Sequence, residues 1–330
     1  MILRGLCCVL LAVLVSACAP RVEGLGPPID SPRLADDAFI MADGYHLPVQ
    51  ETLPQDGPVQ AVLVALHGFN DYAHAFAQAA PIWAKAGIAV YAYDQRGFGA
   101  TQGRGLWHGT DAMVSDLASA TQILRARYPK VPIAVLGESM GGAVTLTAIT
   151  SDSLPRPDVD RVILSAPAVW GRAVMPWWQR WPLWAMSYTL PWLEVAPQIR
   201  RTPSDNIPML RALSRDPMII RRTRIDAIHG LVDLMDSAYA AIPRLGPDVL
   251  LLYGLKEDIL PDTAWQGAVS RLKPGAGWRL ALYDTGYHML IRDLNADLVI
   301  QDISSFVLTP DARLPSGRER DGLDLPRSVN

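Results

Sequence analysis

The residues best suited to chemistry lie in one short stretch, "IAVLGESMGGAVTLTAI", residues 133–149. Its centre, GESMG with Ser139 in the middle, matches G-x-S-x-G, a pattern that puts a serine on a sharp turn between a strand and a helix. Small residues are required two positions before and after the serine, because larger side chains would collide with the strand and the helix. An apolar strand-like run precedes the motif and small helix-compatible residues follow it, and this context predicts that Ser139 is a nucleophile.

A serine nucleophile needs a base, and the base needs an acid that orients it. On this kind of turn the chain order is serine, acid, histidine, with the last two in loops after later strands. Of the six histidines, only His288 follows the last strand-like run, in "LYDTGYHMLIRD". The acid is expected after "DVLLLYG", where Glu257 and Asp258 are neighbours, and the residues alone leave both open.

Strand-like and helix-like segments alternate along the body of the chain. The stretch "AFIMADGYHLPVQETL" alternates around an Asp-Gly pair and predicts a hairpin. Short apolar runs, typical of strands buried on both faces, then recur with helix-length segments between them. These runs are "VQAVLVALHG", "IAVYAYDQRGFG", "PIAVLGESMGG", "DRVILSAP", "DVLLLYGLKED" and "WRLALYDTGYH". The pattern predicts an α/β fold, a mostly parallel sheet with helices on both faces.

Residues 168–240 break this alternation and are predicted to be an insertion of short helices, with no buried-strand pattern. The side chains of its tryptophans pack the insertion onto the main domain, form an apolar lid over a site that takes an apolar substrate or touches lipid, or do both. We favour the lid. The tryptophans of this segment are Trp170, Trp177, Trp178, Trp181, Trp184 and Trp192.

The first residues, "MILRGLCCVLLAVLVSACAP", have the pattern of a secretory signal. The apolar run at residues 6–15 is too short to span a bilayer as a stable helix, and "LVSAC" resembles the lipobox of bacterial lipoproteins. In that motif, cleavage leaves the cysteine as the lipid-bearing first residue. All 3 cysteines lie in this segment, which favours an anchor at Cys18 over a disulfide. The alternatives are an ordinary cleaved signal peptide and an uncleaved anchor helix.

These features divide the chain into six segments. We predict a signal peptide at 1–17, a tether at 18–37, an α/β core at 38–167 and 241–310, a helical cap at 168–240 and a disordered tail at 311–330. The net charge of −3 implies no polyanion-binding surface, so no nucleic-acid partner is expected. Without an H-E-x-x-H motif, cysteine pairs or a dinucleotide-binding glycine loop, no metal or organic cofactor is expected.

Residues 39–308 resemble the monoglyceride lipase and lysophospholipase group of α/β-hydrolases, which is also grouped with serine aminopeptidases. The shared landmarks are "LHGFND", "YDQRGFG", "GESMGG", "LLYGLKEDILP" and "GYHMLIRD". The resemblance implies an α/β-hydrolase fold with the cap inserted after "VILSAP", and a catalytic triad of Ser139, an acid and His288. It implies an oxyanion hole made by the backbone N–H groups of Phe69 and Met140. His67 then shapes the loop and is not a base.

The resemblance also distinguishes the two candidate acids by position. In the family, the acid lies three residues after the glycine that closes the strand and four before a proline. Counting from Gly254 and back from Pro261, both give Glu257. Aspartate is the family's usual residue, so this chain departs from the pattern, and Asp258 is kept as the alternative acid.

The activity implied by the resemblance is hydrolysis of carboxylic esters of lipids, of the monoacylglycerol or lysophospholipid type, through an acyl-enzyme. Two alternatives stay open: a peptidase or amidase with the same triad, and a non-catalytic binding protein tethered to a membrane. The expected location is the bacterial cell envelope, lipid-anchored on the periplasmic side. In a Gram-negative cell this is the outer membrane, because Ala19, not Asp, follows Cys18. The sequence predicts no oligomeric state.

Overall fold

The computed structural model describes residues 19–196 and 201–320. The predicted signal peptide and its lipid-attachment residue, Cys18, lie outside the described residues. Within the described ranges, no helix combines the length and the apolar character needed to cross a bilayer.

The centre of the fold is a sheet of ten strands among the described residues, in the order β1-β2-β3-β5-β4-β6-β7-β10-β11-β12. Strands β5, β4, β6, β7, β10 and β11 run parallel, and the outer pairs are antiparallel. The strands are β1 (Arg33–Leu34), β2 (Ala38–Ile40), β3 (His46–Thr52), β4 (Ala61–Leu66), β5 (Ile88–Tyr93), β6 (Ile133–Glu138), β7 (Arg161–Ser165), β10 (Val249–Gly254), β11 (Arg279–Tyr283) and β12 (Glu319–Arg320). The predicted hairpin, β2–β3, and the mostly parallel sheet are confirmed.

Helices cover both faces of this sheet, as predicted. Successive residues of β4 point to opposite faces, so that Val62 and Val64 join one buried cluster while Ala61 and Leu63 join the other. The first cluster includes residues of α2 (Thr110–Arg127), α3 (Met140–Thr150), α6 (Ile225–Ala241) and α7 (Asp262–Val269). The second includes residues of α1 (Ala80–Lys85) and α8 (Ala296–Leu308). Burial on both faces explains why the strands read as continuous apolar runs.

The chain between β7 and β10 leaves the sheet and forms the helical segment that we call the cap. It contains helices α4 (Trp177–Ser187), α5 (Ile207–Leu213) and α6, and a two-stranded ribbon of β8 (Glu194–Val195) and β9 (Thr223–Arg224). Helix α6 packs against α3, the helix that follows the serine turn. The cap is therefore seated above the part of the sheet where Ser139 lies.

The cap tryptophans do not serve mainly to pack the insertion onto the main domain. Trp170 is partly buried against the core, but the other five are exposed, from 51% for Trp192 to 71% for Trp177. Helix α4 turns Gln179 and Leu183 towards the interior and places its tryptophans on the opposite side. The interpretation of these residues as packing residues is wrong for those five.

The disordered tail predicted from residue 311 is also wrong for its described part. Residues 311–320 bury Leu314 and end in β12, which pairs antiparallel with β11. Asp302 on α8 accepts a hydrogen bond from Ser316 N at 2.9 Å, and Arg279 Nε donates to Glu319 Oε1 at 2.6 Å. The polar residues Ser316 and Glu319, which suggested disorder, are thus hydrogen-bond partners of the buried Asp302 and the half-buried Arg279. Residues 321–330 lie outside the described residues.

Candidate active site

Ser139 stands at the turn between β6 and α3 with φ 52° and ψ −112°, a backbone conformation that L residues rarely adopt. The flanking glycines are sterically required: a Cβ on Gly137 would lie 2.5 Å from Gly141 O, and a Cβ on Gly141 would lie 2.3 Å from Leu66 O. The need for small residues two positions before and after the serine is thereby confirmed. Ala143 N donates to Ser139 O at 3.1 Å, so Ser139 is the N-cap residue of α3.

His288 and Glu257 form a buried pair next to this turn. His288 Nδ1 donates to Glu257 Oε2 at 2.7 Å, and Glu257 Oε1 accepts from Ile259 N at 2.7 Å and Leu260 N at 3.0 Å. Three hydrogen bonds thus fix the carboxylate, and the bond to Nδ1 leaves Nε2 of the neutral imidazole without a proton. Burial by itself would lower the pKa of His288, but the charge and hydrogen bond of Glu257 outweigh it, and the pKa is raised.

Asp258, the alternative acid, points elsewhere. Its carboxylate accepts hydrogen bonds from Arg201 Nη1 at 2.9 Å and Thr202 N at 2.8 Å, and the side chain is 38% exposed. The side chain of Glu257 is only 1% exposed. The loop after β10 therefore turns Glu257 inwards to the histidine and Asp258 outwards to the cap.

The loop after β4 lies against the serine turn. A Cβ on Gly68 would lie 3.3 Å from Ser139 Cβ, a tight contact that shows how closely the two loops approach. The N–H of Met140 belongs to the first turn of α3, where amides lack an intrahelical partner. Phe69, the other predicted oxyanion residue, lines the same cavity as Ser139.

His67 is fixed in a neutral form that has no free nitrogen. Its Nδ1 lies 2.8 Å from Gly68 O and must donate, because a carbonyl only accepts. Its Nε2 then accepts from Gln95 N at 3.0 Å. Complete burial lowers the pKa of His67, consistent with this uncharged form. Both nitrogens are used to hold the loop.

A cavity of about 500 Å³ opens over Ser139 and His288 and is lined mostly by apolar side chains. This volume lies within the range of about 300–1,000 Å³ typical of small-molecule sites. The cap supplies much of the lining, from α4, α6 and the segment before α4: Trp170, Met175, Leu183, Ile228, Leu231, Val232 and Met235. Within the described part of the chain, no three His, Cys, Asp or Glu side chains are grouped as metal ligands would be.

Three charged residues of the cavity wall were missed by the sequence reasoning. Arg292 Nη1 donates to Asp71 at 2.7 Å and Nη2 donates to Glu138 at 2.5 Å, and all three side chains are at most 7% exposed. The available signal was a lone arginine in the apolar run "HMLIRDL" and a glutamate inside the serine motif. Neither position predicts its partner, because the pairs are 221 and 154 residues apart along the chain.

Comparisons with known proteins agree with this architecture. The family model described as serine aminopeptidase, S33, matches residues 57–295. The chain is 26% identical over 289 residues to a monoacylglycerol lipase of Mycolicibacterium smegmatis, covering 83% of this chain and 97% of the relative. It is 25% identical over 276 residues to the monoglyceride lipase of Rattus norvegicus, covering 82% and 89%.

A solved structure with the same fold is a soluble variant of monoglyceride lipase from Saccharomyces cerevisiae in complex with a substrate analogue. It has a TM-score of 0.67 and 18% identity, covering 88% of this chain and 97% of that one. The chain belongs to the serine aminopeptidase S33 family, with the α/β-hydrolase fold. Within that family the chain is similar to the monoglyceride lipases, and this similarity supports its assignment as a carboxylic ester hydrolase.

Proposed function

We propose that this protein hydrolyses monoacyl lipid esters by a serine mechanism in which Ser139 is the nucleophile, His288 the base and Glu257 the acid. The observation that carries the proposal is the buried His288–Glu257 hydrogen bond at 2.7 Å beside a serine on a strained turn, in one apolar cavity. A serine hydroxyl is a weak nucleophile until a neighbouring base removes its proton, and that base must be held in position.

The reaction proceeds in two halves. His288 Nε2 takes the proton of Ser139 Oγ as the oxygen attacks the ester carbonyl, and the Glu257 carboxylate stabilises the imidazolium that forms. The N–H groups of Phe69 and Met140 donate to the oxyanion, which carries charge only after the attack. His288 then protonates the leaving alcohol, and water releases the acyl group from Ser139 by the reverse sequence of proton transfers.

The direct test is labelling with a fluorophosphonate probe, which reacts with activated serines. We expect the probe to modify Ser139 and the His288→Gln variant to react far more slowly. A panel of monoacylglycerols, lysophospholipids and aminoacyl amides then defines the substrate. A folded wild-type chain that the probe leaves unmodified would rule out the serine mechanism.

A second candidate is hydrolysis of amides in short peptides, which the description of the matched family supports. The same triad chemistry cleaves both kinds of bond. The apolar lining of the cavity and the monoacylglycerol lipases among the relatives favour esters. Faster turnover of aminoacyl amides than of any lipid ester in the panel would reverse this choice.

We also propose that the protein is a lipoprotein of the bacterial cell envelope, attached through Cys18 and located at the outer membrane in a Gram-negative cell. The proposal rests on the lipobox-like "LVSAC" at the end of a signal pattern. Several acyl chains, as lipoproteins carry, would make the attachment stable, whereas one chain binds only marginally. Palmitate labelling should disappear in the Cys18→Ser variant, and labelling that persists would contradict the anchor.

The exposed tryptophans of α4 give the cap a surface suited to a lipid interface. Aromatic rings of Trp181, Trp184 and Tyr188 succeed one another along the helix, with centroids 5.8 and 5.6 Å apart. Tryptophan is enriched where membranes meet water, because its ring is apolar and its N–H is polar. An exposed apolar face of this kind marks an interaction surface. We propose that the face rests on the bilayer that holds the substrate.

The start of the described chain is consistent with such an orientation. Glu23 N donates to Trp107 O at 2.9 Å, and Trp107 packs against the cap at Gly230. The pKa of Arg224 on β9 is raised, chiefly by its hydrogen bond with Asp226, and the charge of Glu23 adds to the effect. The tether therefore meets the folded body at Trp107, which packs against cap helix α6, close enough to β9 for its charge to act on Arg224.

A further inference from the structure

A buried guanidinium connects the three loops that carry the site. Arg292 lies four residues after His288, Asp71 belongs to the loop that contains Phe69, and Glu138 directly precedes Ser139. Nη1 contacts Asp71 at 2.7 Å and Nη2 contacts Glu138 at 2.5 Å. One side chain thus bridges the base loop, the predicted oxyanion loop and the serine turn.

Two further hydrogen bonds, one between backbone groups and one accepted by a side chain, also fix these loops. Gly141 N donates to His67 O at 3.1 Å, which joins the serine turn to the loop after β4. Asp293, next to Arg292, accepts from Tyr287 N at 2.7 Å and holds the base loop closed on itself. The ion pairs of Arg292 are, in addition, side-chain links from the base loop to both of the others.

The chemistry of the cluster favours a guanidinium at this position. A planar guanidinium can serve two carboxylates at fixed angles, whereas an ammonium is a single point charge. Two buried carboxylates without the cation would each bear an uncompensated desolvation penalty. With it, the cluster has one positive and two negative charges, and the field of the cluster extends to the base.

We propose that Arg292 is a positioning residue that aligns the serine turn and the oxyanion loop with His288 and sets the charge around the base. It touches no reacting atom in the mechanism and acts through Asp71 and Glu138. This inference rests on the proposed roles of Ser139 and His288, so its test needs a readout that is independent of catalysis.

The charged groups that act on His288 come from three elements. Glu257 follows β10, Glu138 ends β6, and Arg292 lies on the base loop itself. The two carboxylates raise the pKa of His288, and Arg292 lowers it. Removing the guanidinium should therefore raise that pKa, and removing the Glu138 charge should lower it. If Arg292 and Glu138 only stabilised the fold, their substitutions would not shift the pKa of His288 in opposite directions.

The experiment uses the full chain in detergent and three variants, Arg292→Lys, Arg292→Met and Glu138→Gln. The pKa of His288 is measured by NMR titration of the imidazole, assigned by the resonance lost in His288→Gln, and kcat and KM are measured with a soluble ester. We expect Arg292→Met to raise the pKa of His288 and Glu138→Gln to lower it. Arg292→Lys should keep the pKa near its wild-type value but lower kcat about tenfold at unchanged KM.

Arg96 offers a matched control for the loss of a buried arginine. Its guanidinium contacts Asp43 at 2.7 Å and Asp116 at 2.6 Å, and its side chain is 1% exposed, but it does not line the cavity. Arg96→Lys should lower the melting temperature and leave both the pKa of His288 and kcat unchanged. This control separates general destabilisation from a change at the site.

The outcomes distinguish this inference from the proposed function. A kcat within twofold of wild type in Arg292→Lys, or pKa shifts that do not have opposite signs in Arg292→Met and Glu138→Gln, would overturn the positioning role. If Arg292→Met does not fold, Arg292→Lys and Glu138→Gln decide the question, and an unchanged pKa in Glu138→Gln is then enough to reject it. If the variants show the pKa shifts but the wild-type chain hydrolyses no ester, the proposed function is rejected and the effect of the charges on His288 is retained.

Discussion

The tryptophans of the core and those of the cap have opposite environments. Trp83 on α1 is fully buried and donates from Nε1 to Ile300 O at 3.1 Å, and Trp265 on α7 is 2% exposed and donates to Asp262 at 3.0 Å. On the cap, Trp177 and Trp181 are 71% and 62% exposed. Tryptophan is thus buried in the core and exposed to solvent on the cap.

This difference separates two reasons for an apolar residue to be present. Burial of the core rings removes apolar area from water within the chain itself, at about 25 cal/mol per Å². The rings on the outer side of α4 obtain no such benefit from the described fold, so their benefit must come from contact with something else. Substitutions in the active site should therefore lower the rate of hydrolysis of every substrate. Substitutions on the outer face of the cap should lower the rate only for substrate held in a membrane.

The largest effect should follow from Ser139→Ala. Removal of the nucleophile should lower kcat by a factor on the order of 10⁴ to 10⁶, for dissolved and membrane-bound esters alike, because a triad acts as a unit. Rates on a soluble ester and on vesicles containing a monoacylglycerol provide the measurement, with circular dichroism to verify the fold. Retention of more than about a tenth of the activity on either substrate would disprove the role of Ser139.

The next effect separates two neighbouring carboxylates. Glu257→Gln keeps the size of the side chain but removes the charge that stabilises the imidazolium, and we expect kcat to fall about 10⁴-fold. Asp258→Asn should change kcat less than threefold, since Asp258 contacts Arg201 and Thr202 at a half-exposed position. Initial rates for both variants are the measurement. A large loss confined to Asp258→Asn would transfer the role of acid to that residue.

The two regions also differed in how far the sequence could predict them. The core could be predicted from the sequence, because strands buried on both faces appear as continuous apolar runs. The tight turn at Ser139 likewise requires glycines at fixed positions, Gly137 and Gly141. Which of Glu257 and Asp258 meets His288 required counting along a loop, where one residue reverses the direction of a side chain. The contacts of Arg292 could not be predicted from the sequence, since they join residues more than 150 positions apart.

For the cap, composition alone predicted the helices but not the direction of their side chains. Helix α4 places apolar side chains both towards the cavity, as Leu183, and towards solvent, as Trp181 and Trp184, so apolar character does not indicate which side is buried. The ten residues before 321 gave a different error: their polar residues are matched by buried partners such as Asp302, which no local pattern displays.

A moderate effect should come from the outer face of the cap. In a chain starting at Ala19, the triple variant Trp177→Ala, Trp181→Ala and Trp184→Ala should bind phosphatidylcholine vesicles about tenfold or more weakly, because three exposed rings are removed. Alanine retains the helix. Vesicle sedimentation gives the partition coefficient, and kcat on a dissolved ester should stay the same.

The matched control for that variant lies on the core. Leu298 on α8 is 43% exposed and Ile82 on α1 is 40% exposed, so both are apolar, helical and accessible, but neither belongs to the cap. Leu298→Ala and Ile82→Ala should leave vesicle binding as it is in the wild type. Equal weakening by the core and cap substitutions would show that the tryptophan face has no special part in lipid contact.

The smallest effect concerns the inner face of the same helix. Each methylene placed in an apolar pocket contributes about 0.8 kcal/mol, so kcat/KM should rise about fourfold per added methylene in a series of soluble esters until the pocket is filled. Leu183 lines the cavity, while its neighbour Trp184 is 54% exposed on the other side. Leu183→Ala should lower kcat/KM for medium chains severalfold and extend the series to longer chains, because it removes apolar contact and enlarges the pocket. Trp184→Ala should leave the whole series unchanged. If acetyl esters were the best substrates, or if both variants altered the series equally, the division of α4 into a substrate face and a membrane face would be wrong.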